Sequence, residues 1–190
     1  MTAVAVVTDT HPEAEAVLNF WLVETDEKMW FSASEAFDAQ VRIGFSKTLK
    51  RAEKSELWSW RSTPRGRVAE IIVLDQFSRQ LYRKSGRAFA NDTLALALAQ
   101  EVVAQNMKAQ LAHFEWYFAL MPYMHSESLS VHEEAVQLFE TVSEKALDFE
   151  KRHRSVIERF GRYPKRNEAL GRLSTASELE YIAATGNSMF

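Results

Sequence analysis

Cysteine is absent from the 190 residues of this chain. Its absence excludes disulfides, thiolate metal sites, iron–sulfur clusters and thiol catalysis. Long apolar runs are also missing. The longest uncharged aromatic-rich piece, WYFALMPYM (116–124), is interrupted by Pro122 and falls well short of the ~20 residues a membrane span needs. The apolar stretch 3–7 has no basic residue before it, so it reads poorly as a signal peptide. Asn-Gly and Asp-Gly hairpin signals do not occur. A net charge of −3 is too small to draw nucleic acid or an anionic membrane by bulk field. These absences lead us to expect a cytoplasmic protein with neither a nucleic-acid nor a membrane partner, and no cofactor is expected.

What is present is helix. Hydrophobic residues make up 46% of the chain, enough for a real core, and twelve Phe and five Trp should fill it with rings. Four Ser/Thr-x-x-Glu patterns, at Thr10/Glu13, Ser32/Glu35, Ser130/Glu133 and Thr175/Glu178, have the form of capping boxes. Helices are expected over about 11–22, from Ala33 through a stripe of Phe37, Val41, Phe45 and Leu49, and over 64–82 with Pro64 in first position. Others follow over 92–105, over 109–120 with a stop near Pro122, over 131–159 with one break, and over 176–183, with a short one at 167–171. The pattern predicts one all-α domain of seven or eight helices packed as antiparallel pairs, with 1–10 as a loose N-terminal arm.

One helix stands out. Over 64–82, Val68, Ile71, Ile72, Val73, Leu74, Phe77 and Leu81 point in nearly every direction, the mark of a buried helix. Yet Asp75, Arg79 and Arg83, spaced by four, draw a charged stripe along it. Buried charge is costly unless paired, so this stripe must meet partners. Two further polar pieces are candidates. His125, Ser126 and Glu127 fall in a turn between helices, and His153 shares a broad helical face with Arg159. In RFGRYPKRN (159–167) the helix breaks at Gly161 and delivers Arg162, Lys165, Arg166 and Asn167 from irregular backbone. Guanidinium forks and backbone N–H groups on such a turn can hold a carboxylate or phosphate.

Plainer readings accompany each piece. Asp75 and Arg79 can be a structural salt bridge, and His125 and Glu127 a satisfied capped loop. The 159–167 cations can be a solubilising turn, although Phe160 and Tyr163 among them argue for packing. A metal site from His125, Glu127 and His153, with His132, lacks any recognised ligand spacing. A nucleophilic Ser126 lacks the strand-turn-helix elbow such a serine needs. No metal is expected.

VLNFW (17–21), LDQFSRQLYR (74–83), HSES (125–128), RFGRYPKRNEALGR (159–172) and STASELEYI (174–182) together resemble the bacterial family known as domain of unknown function 924. The resemblance implies an all-helical, tetratricopeptide-like arrangement and no known activity. It also implies a shared polar set of Asp75, Gln76, Arg79, His125, Ser126, Glu127, His153, Arg159, Arg162, Arg166 and Asn167. Two positions depart from it: Lys165 stands where the family usually has His, and Ser78 where it favours Pro.

The three polar segments are expected to converge on one cleft. There Arg79, Arg83, Arg159, Arg162 and Arg166 outnumber Asp75 and Glu127, and the excess positive charge would suit a small carboxylate- or phosphate-bearing ligand or the acidic end of a peptide. Ser126, Gln76 and Asn167 would line the same site. The alternatives are an enzyme in which His125 or His153 is the acid/base and Glu127 its orienter, and a scaffold in which the charges only staple helices.

Overall fold

The computed structural model describes residues 9–186, so most of the expected N-terminal arm lies outside the described residues. Among these residues there is no strand, and the chain forms one all-α domain. Helix α1 (12–24) begins as Pro12–Asn19 and continues through a π turn, Phe20–Glu24; α2 is the single turn Glu27–Trp30; and α3 is Glu35–Ala52. Helix α4 (64–81) joins Pro64–Ile72, a second π turn at Val73–Phe77, and Ser78–Leu81. Helices α5 (Asp92–Ala104), α6 (His113–Met124), α7 (Leu129–Glu140), α8 (Glu144–Phe160) and α9 (Ala176–Thr185) complete the order. Those beyond one turn are α1 and α3–α9, in line with the number expected.

Helix α4 is the axis of the molecule. It packs against α1, α3, α5 and α6, which accounts for its apolar residues in every direction. Phe77, on its π turn, meets Trp21 at 5.5 Å and Phe45 at 4.9 Å between ring centroids, and Phe118 of α6 reaches Trp21 at 5.8 Å. Each such buried ring contributes about 1.5–3 kcal/mol relative to exposure. The turn 141–143 folds α7 back on α8 as an antiparallel pair, which is the break expected in 131–159.

Local chemistry sets the boundaries, and not always at the expected residues. Thr175 and Glu178 do form a reciprocal cap: the Glu178 backbone N–H donates to Thr175 Oγ1 at 3.3 Å, and Thr175 N–H donates to Glu178 Oε2 at 2.7 Å. The other three expected boxes do not form. His11 caps α1 and Ser34 caps α3 through their side chains, and α7 starts after Ser128 with Ser130 already inside it. In each case a neighbouring polar residue holds the extended backbone that a cap requires. Nor does Pro122 end α6, which runs on to Met124. So near a C-terminus the missing proline N–H costs one hydrogen bond, and tight packing on α4 and α7 compensates. At 164–171 a short 3-10 turn, Pro164–Arg166, and irregular turns replace the expected short helix.

Candidate functional site

Asp75 sits on the α4 π turn and is 1% exposed. A π turn adds one residue to a helical turn and shifts everything beyond it out of α register. Here it brings two adjacent polar residues, Asp75 and Gln76, inward among apolar neighbours. Asp75 Oδ1 lies 2.7 Å from His125 Nδ1, Oδ2 accepts from Gln76 Nε2, and Arg79, one turn on, places Nη1 3.0 Å from Oδ1. Burial alone would raise the pKa of Asp75, but Arg79, His125 and Gln76 outweigh it and hold the carboxyl well below the usual range.

A second carboxylate extends the network. Asp92, in the first turn of α5, receives both Arg79 Nη1 and Nη2, at 2.9 and 3.0 Å, and Arg166 Nη1 at 3.0 Å. Arg166 Nη2 then donates to the backbone carbonyl of His125 at 3.0 Å. Asp75, Arg79, Asp92, Arg166 and His125 therefore form a closed ring drawn from four separate stretches of sequence. The Arg166 guanidinium lies between the rings of Phe89 and Tyr163, at 4.6 and 4.5 Å, an arrangement in which cation–π attraction adds to the ion pair.

The turn carrying His125 is clamped through three consecutive carbonyls, left without partners by the end of α6. Tyr163 Oη donates to Met124 O at 2.6 Å, Arg166 to His125 O, and His132 Nε2 to Ser126 O at 2.9 Å. His132 is fully buried, and its Nδ1 meets Glu150 Oε1 at 2.6 Å. Ser126 O can only accept, so His132 Nε2 carries its hydrogen. The remaining proton lies between Nδ1 and Glu150, whose pKa is raised by burial and whose Oε2 has no partner.

Arg79, His125, Tyr163 and Arg166 also line a cleft of about 290 Å³, together with Gln76, His153 and the rings of Trp30, Phe89 and Tyr181. Burial, then Arg79, lower the pKa of His125 against the pull of Asp75. At neutral pH the ring is therefore neutral, with its hydrogen on Nδ1 facing the ionised Asp75. Nε2 of His125 has no hydrogen-bond partner among the described residues and is not sealed from solvent. His153 is also neutral, its pKa pushed down to about 3 chiefly by burial, and its Nδ1 donates to Phe149 O at 2.8 Å. The two imidazole centroids are 6.3 Å apart.

Of the residues expected here, Gln76, Arg79, His125, His153 and Arg166 do line the cleft, and Asp75 lies buried behind them against His125 and Arg79. Arg83 lines its edge, but its guanidinium is held by Asp38, Gln80 and the Ser32 carbonyl. The others go elsewhere. Glu127 does not orient a histidine: it takes both ends of Arg172, at 2.6 and 2.9 Å, and the Tyr163 N–H at 2.8 Å. Asp75 holds the orienting position instead. Arg162 forms a two-bond pair with Glu178, at 2.6 and 2.8 Å, and ties α9 to the 161–163 turn. Arg159 stacks over Phe160 at 4.6 Å on the surface. Asn167 braces its own loop through Ser174 and Arg172, and Ser126 Oγ accepts the Ser128 N–H at 3.2 Å, an ordinary turn. The expected surplus of positive charge is reduced as well: acids outside the expected set pair with the guanidiniums, Asp92 with both Arg79 and Arg166, Asp38 with Arg83 and Glu178 with Arg162, while Glu127 is taken by Arg172 and Arg159 has no ion pair among the described residues. Among the described residues, no three His, Asp or Glu side chains gather as a metal site would require. Asp92 escaped the sequence reading because an acid in a first turn is accounted for by the helix dipole alone.

A family model described as "Bacterial protein of unknown function (DUF924)" matches residues 17–186, and the chain belongs to that family. The chain is similar in structure to a protein of unknown function from Agrobacterium tumefaciens. The TM-score is 0.87 at 28% identity, over 93% of this chain and 99% of that one. No curated protein matches it. No helix among the described residues is long and apolar enough to cross a membrane.

Proposed function

We propose that the cleft binds a small acid and that His125 takes a proton from it, making the protein an enzyme of acid–base type. The observation that carries this is the direction of the His125 ring. Nδ1–H is committed to Asp75, and the unpaired Nε2 is left to the cleft. In the transfer, the ligand's proton moves to Nε2, and the imidazolium so formed is stabilised by the Asp75 carboxylate it already contacts. Low pKa and burial favour a ring that starts out neutral, and the three clamped carbonyls hold it in one place.

Binding without turnover is a second reading, favoured by the lining itself. Among the described residues, Arg79, Arg83 and Arg166 line the cleft and no carboxylate does, since Asp75, Asp92 and Asp38 sit behind the cations they pair with. A carboxylate- or phosphate-bearing small molecule, or the acidic end of a peptide, would meet positive potential there.

A thermal-shift screen of small carboxylic acids and phosphates, followed by turnover assays on each hit, tests both readings. The catalytic reading expects a hit that His125→Gln still binds within a few-fold but no longer converts, and that Arg166→Gln fails to bind. Equal turnover by wild type and His125→Gln would overturn it. Hits bound and never converted by either protein would leave the binding reading.

A further inference from the structure

One carboxylate sets the direction of two cleft residues at once. Asp75 Oδ1 takes the His125 Nδ1–H, and Oδ2 takes an amide N–H of Gln76. An ionised carboxylate only accepts, so the Gln76 amide must turn its NH₂ toward Asp75 and its Oε1 away. Gln76 lines the cleft, and its Oε1, like His125 Nε2, has no partner among the described residues and is not sealed from solvent. The cleft lining thus offers two acceptors on residues that share Asp75, while its charged residues among those described are cations.

We propose that the group read at His125 is a hydroxyl, that Gln76 selects it, and that the ligand is a small hydroxy acid with an apolar body. This rests on the reading of the cleft as a ligand site. Two bare acceptors favour a hydrogen-bond donor and penalise an ether or ester, which would leave both unpaired on desolvation. A protonated amine would also donate, but it would face the Arg79, Arg83 and Arg166 guanidiniums, whose acids lie behind them, as a like charge. The acid end suits that same cationic lining. The apolar body suits Trp30, Phe89, Tyr163 and Tyr181. The cleft of about 290 Å³ has room for a small molecule of this kind.

The test uses three probes that differ at one position: 3-phenyllactate, its O-methyl ether, and 3-phenylpropionate, which lacks the hydroxyl. Each is titrated by NMR into the wild-type chain, Gln76→Met and Arg166→Gln. The expected result is that wild type binds phenyllactate about tenfold more tightly than the other two, the value of one well-made hydrogen bond. Gln76→Met should bring the three probes within about twofold of one another, and Arg166→Gln should weaken all three. If the three bind wild type equally and Arg166→Gln still weakens them, the hydroxyl assignment fails while the cleft reading stands. If none binds, or if binding is indifferent to Arg166→Gln, the cleft reading fails and takes this inference with it.

Discussion

Asp75 and His125 are fifty positions apart in sequence, yet Oδ1 and Nδ1 lie 2.7 Å apart in the interior. The carboxylate chooses the tautomer of the imidazole and balances Arg79 in the same contact. Asp75→Asn keeps the shape but removes the charge, leaving Arg79 with Asp92 alone. Breaking a buried pair from one side costs about 3–5 kcal/mol. Urea unfolding should show a loss of that order, and nitrogen NMR should show the His125 hydrogen no longer confined to Nδ1. An unchanged midpoint would mean that Asp75 is not ionised in the native protein.

Stability should fall with acid earlier than carboxylates alone would cause. His125 and His153 both have pKa values lowered from 6.5, His153 to about 3. Each stays neutral in the native state while the unfolded chain takes up a proton. Their contribution is complete above about pH 6.5 and declines by about 1.4 kcal/mol per pH unit for each ring as pH drops. For His153 the decline ends near pH 3, where the native ring also protonates. Asp75, whose pKa is also lowered, adds a further loss only below about pH 4. His153→Asn retains a donor for Phe149 O and should flatten the slope between pH 6.5 and 5 by one ring's worth. A slope identical to wild type would refute a neutral native His153.

The bridge from α5 to the 164–166 turn can be isolated. Asp92→Asn and Arg166→Gln, alone and together, should be non-additive by about 1–3 kcal/mol, the range for residues in one ion-pair network. Additive effects within about 0.5 kcal/mol would show that the Arg166–Asp92 contact is energetically idle.

Gly161 ends α8 at φ 68°, a left-handed conformation with open space around it. Gly161→Ala meets no clash, so its cost should be the backbone term alone, about 1–2 kcal/mol. Gly66→Ala makes the contrast. A Cβ there would come within 1.9 Å of the Trp60 carbonyl, so α4 must shift, and the loss should exceed that of Gly161→Ala. The reverse order of thermal midpoints would contradict the packing at the start of α4.

Arg162 holds α9 through Glu178, whose pKa is lowered to about 2, first by that guanidinium and then by the Thr175 N–H. Arg162→Ala should lower the melting temperature and speed amide exchange across Ala176–Thr185 while α4 stays protected. Uniform exchange across both helices would show that α9 has no separate anchorage.

Much of this arrangement was legible in sequence for one reason: charge on a helix apolar all round must find partners. Asp75, Arg79 and, through the break at Gly161, Arg166 follow from that rule. Neighbours in sequence that diverge in space do not. Glu127 is two residues from His125, and Arg162 four from Arg166, yet each turns to a different partner. Backbone acceptors were invisible for another reason: the roles of Tyr163 and His132 depend on carbonyls, which every residue has alike. The caps at Ser34 and Ser128 were misplaced because several polar residues there could serve, and only backbone geometry decides among them.

The π turn at 73–77 has a consequence for how this site can be lost. It holds one more residue than an α-helical turn would, and Arg79 and Arg83 lie downstream of it. Deleting Val73 or Leu74 would let the helix rewind to its ordinary pitch with Arg79 and Arg83 kept in direction, because the wide turn already absorbs the extra residue. The helix would remain intact and Arg79 would still face Asp92, while Asp75 and Gln76 would lose the wide turn that sets both of them inward. A single-codon deletion would therefore unseat the Asp75 end of the polar ring without removing any of its charged members.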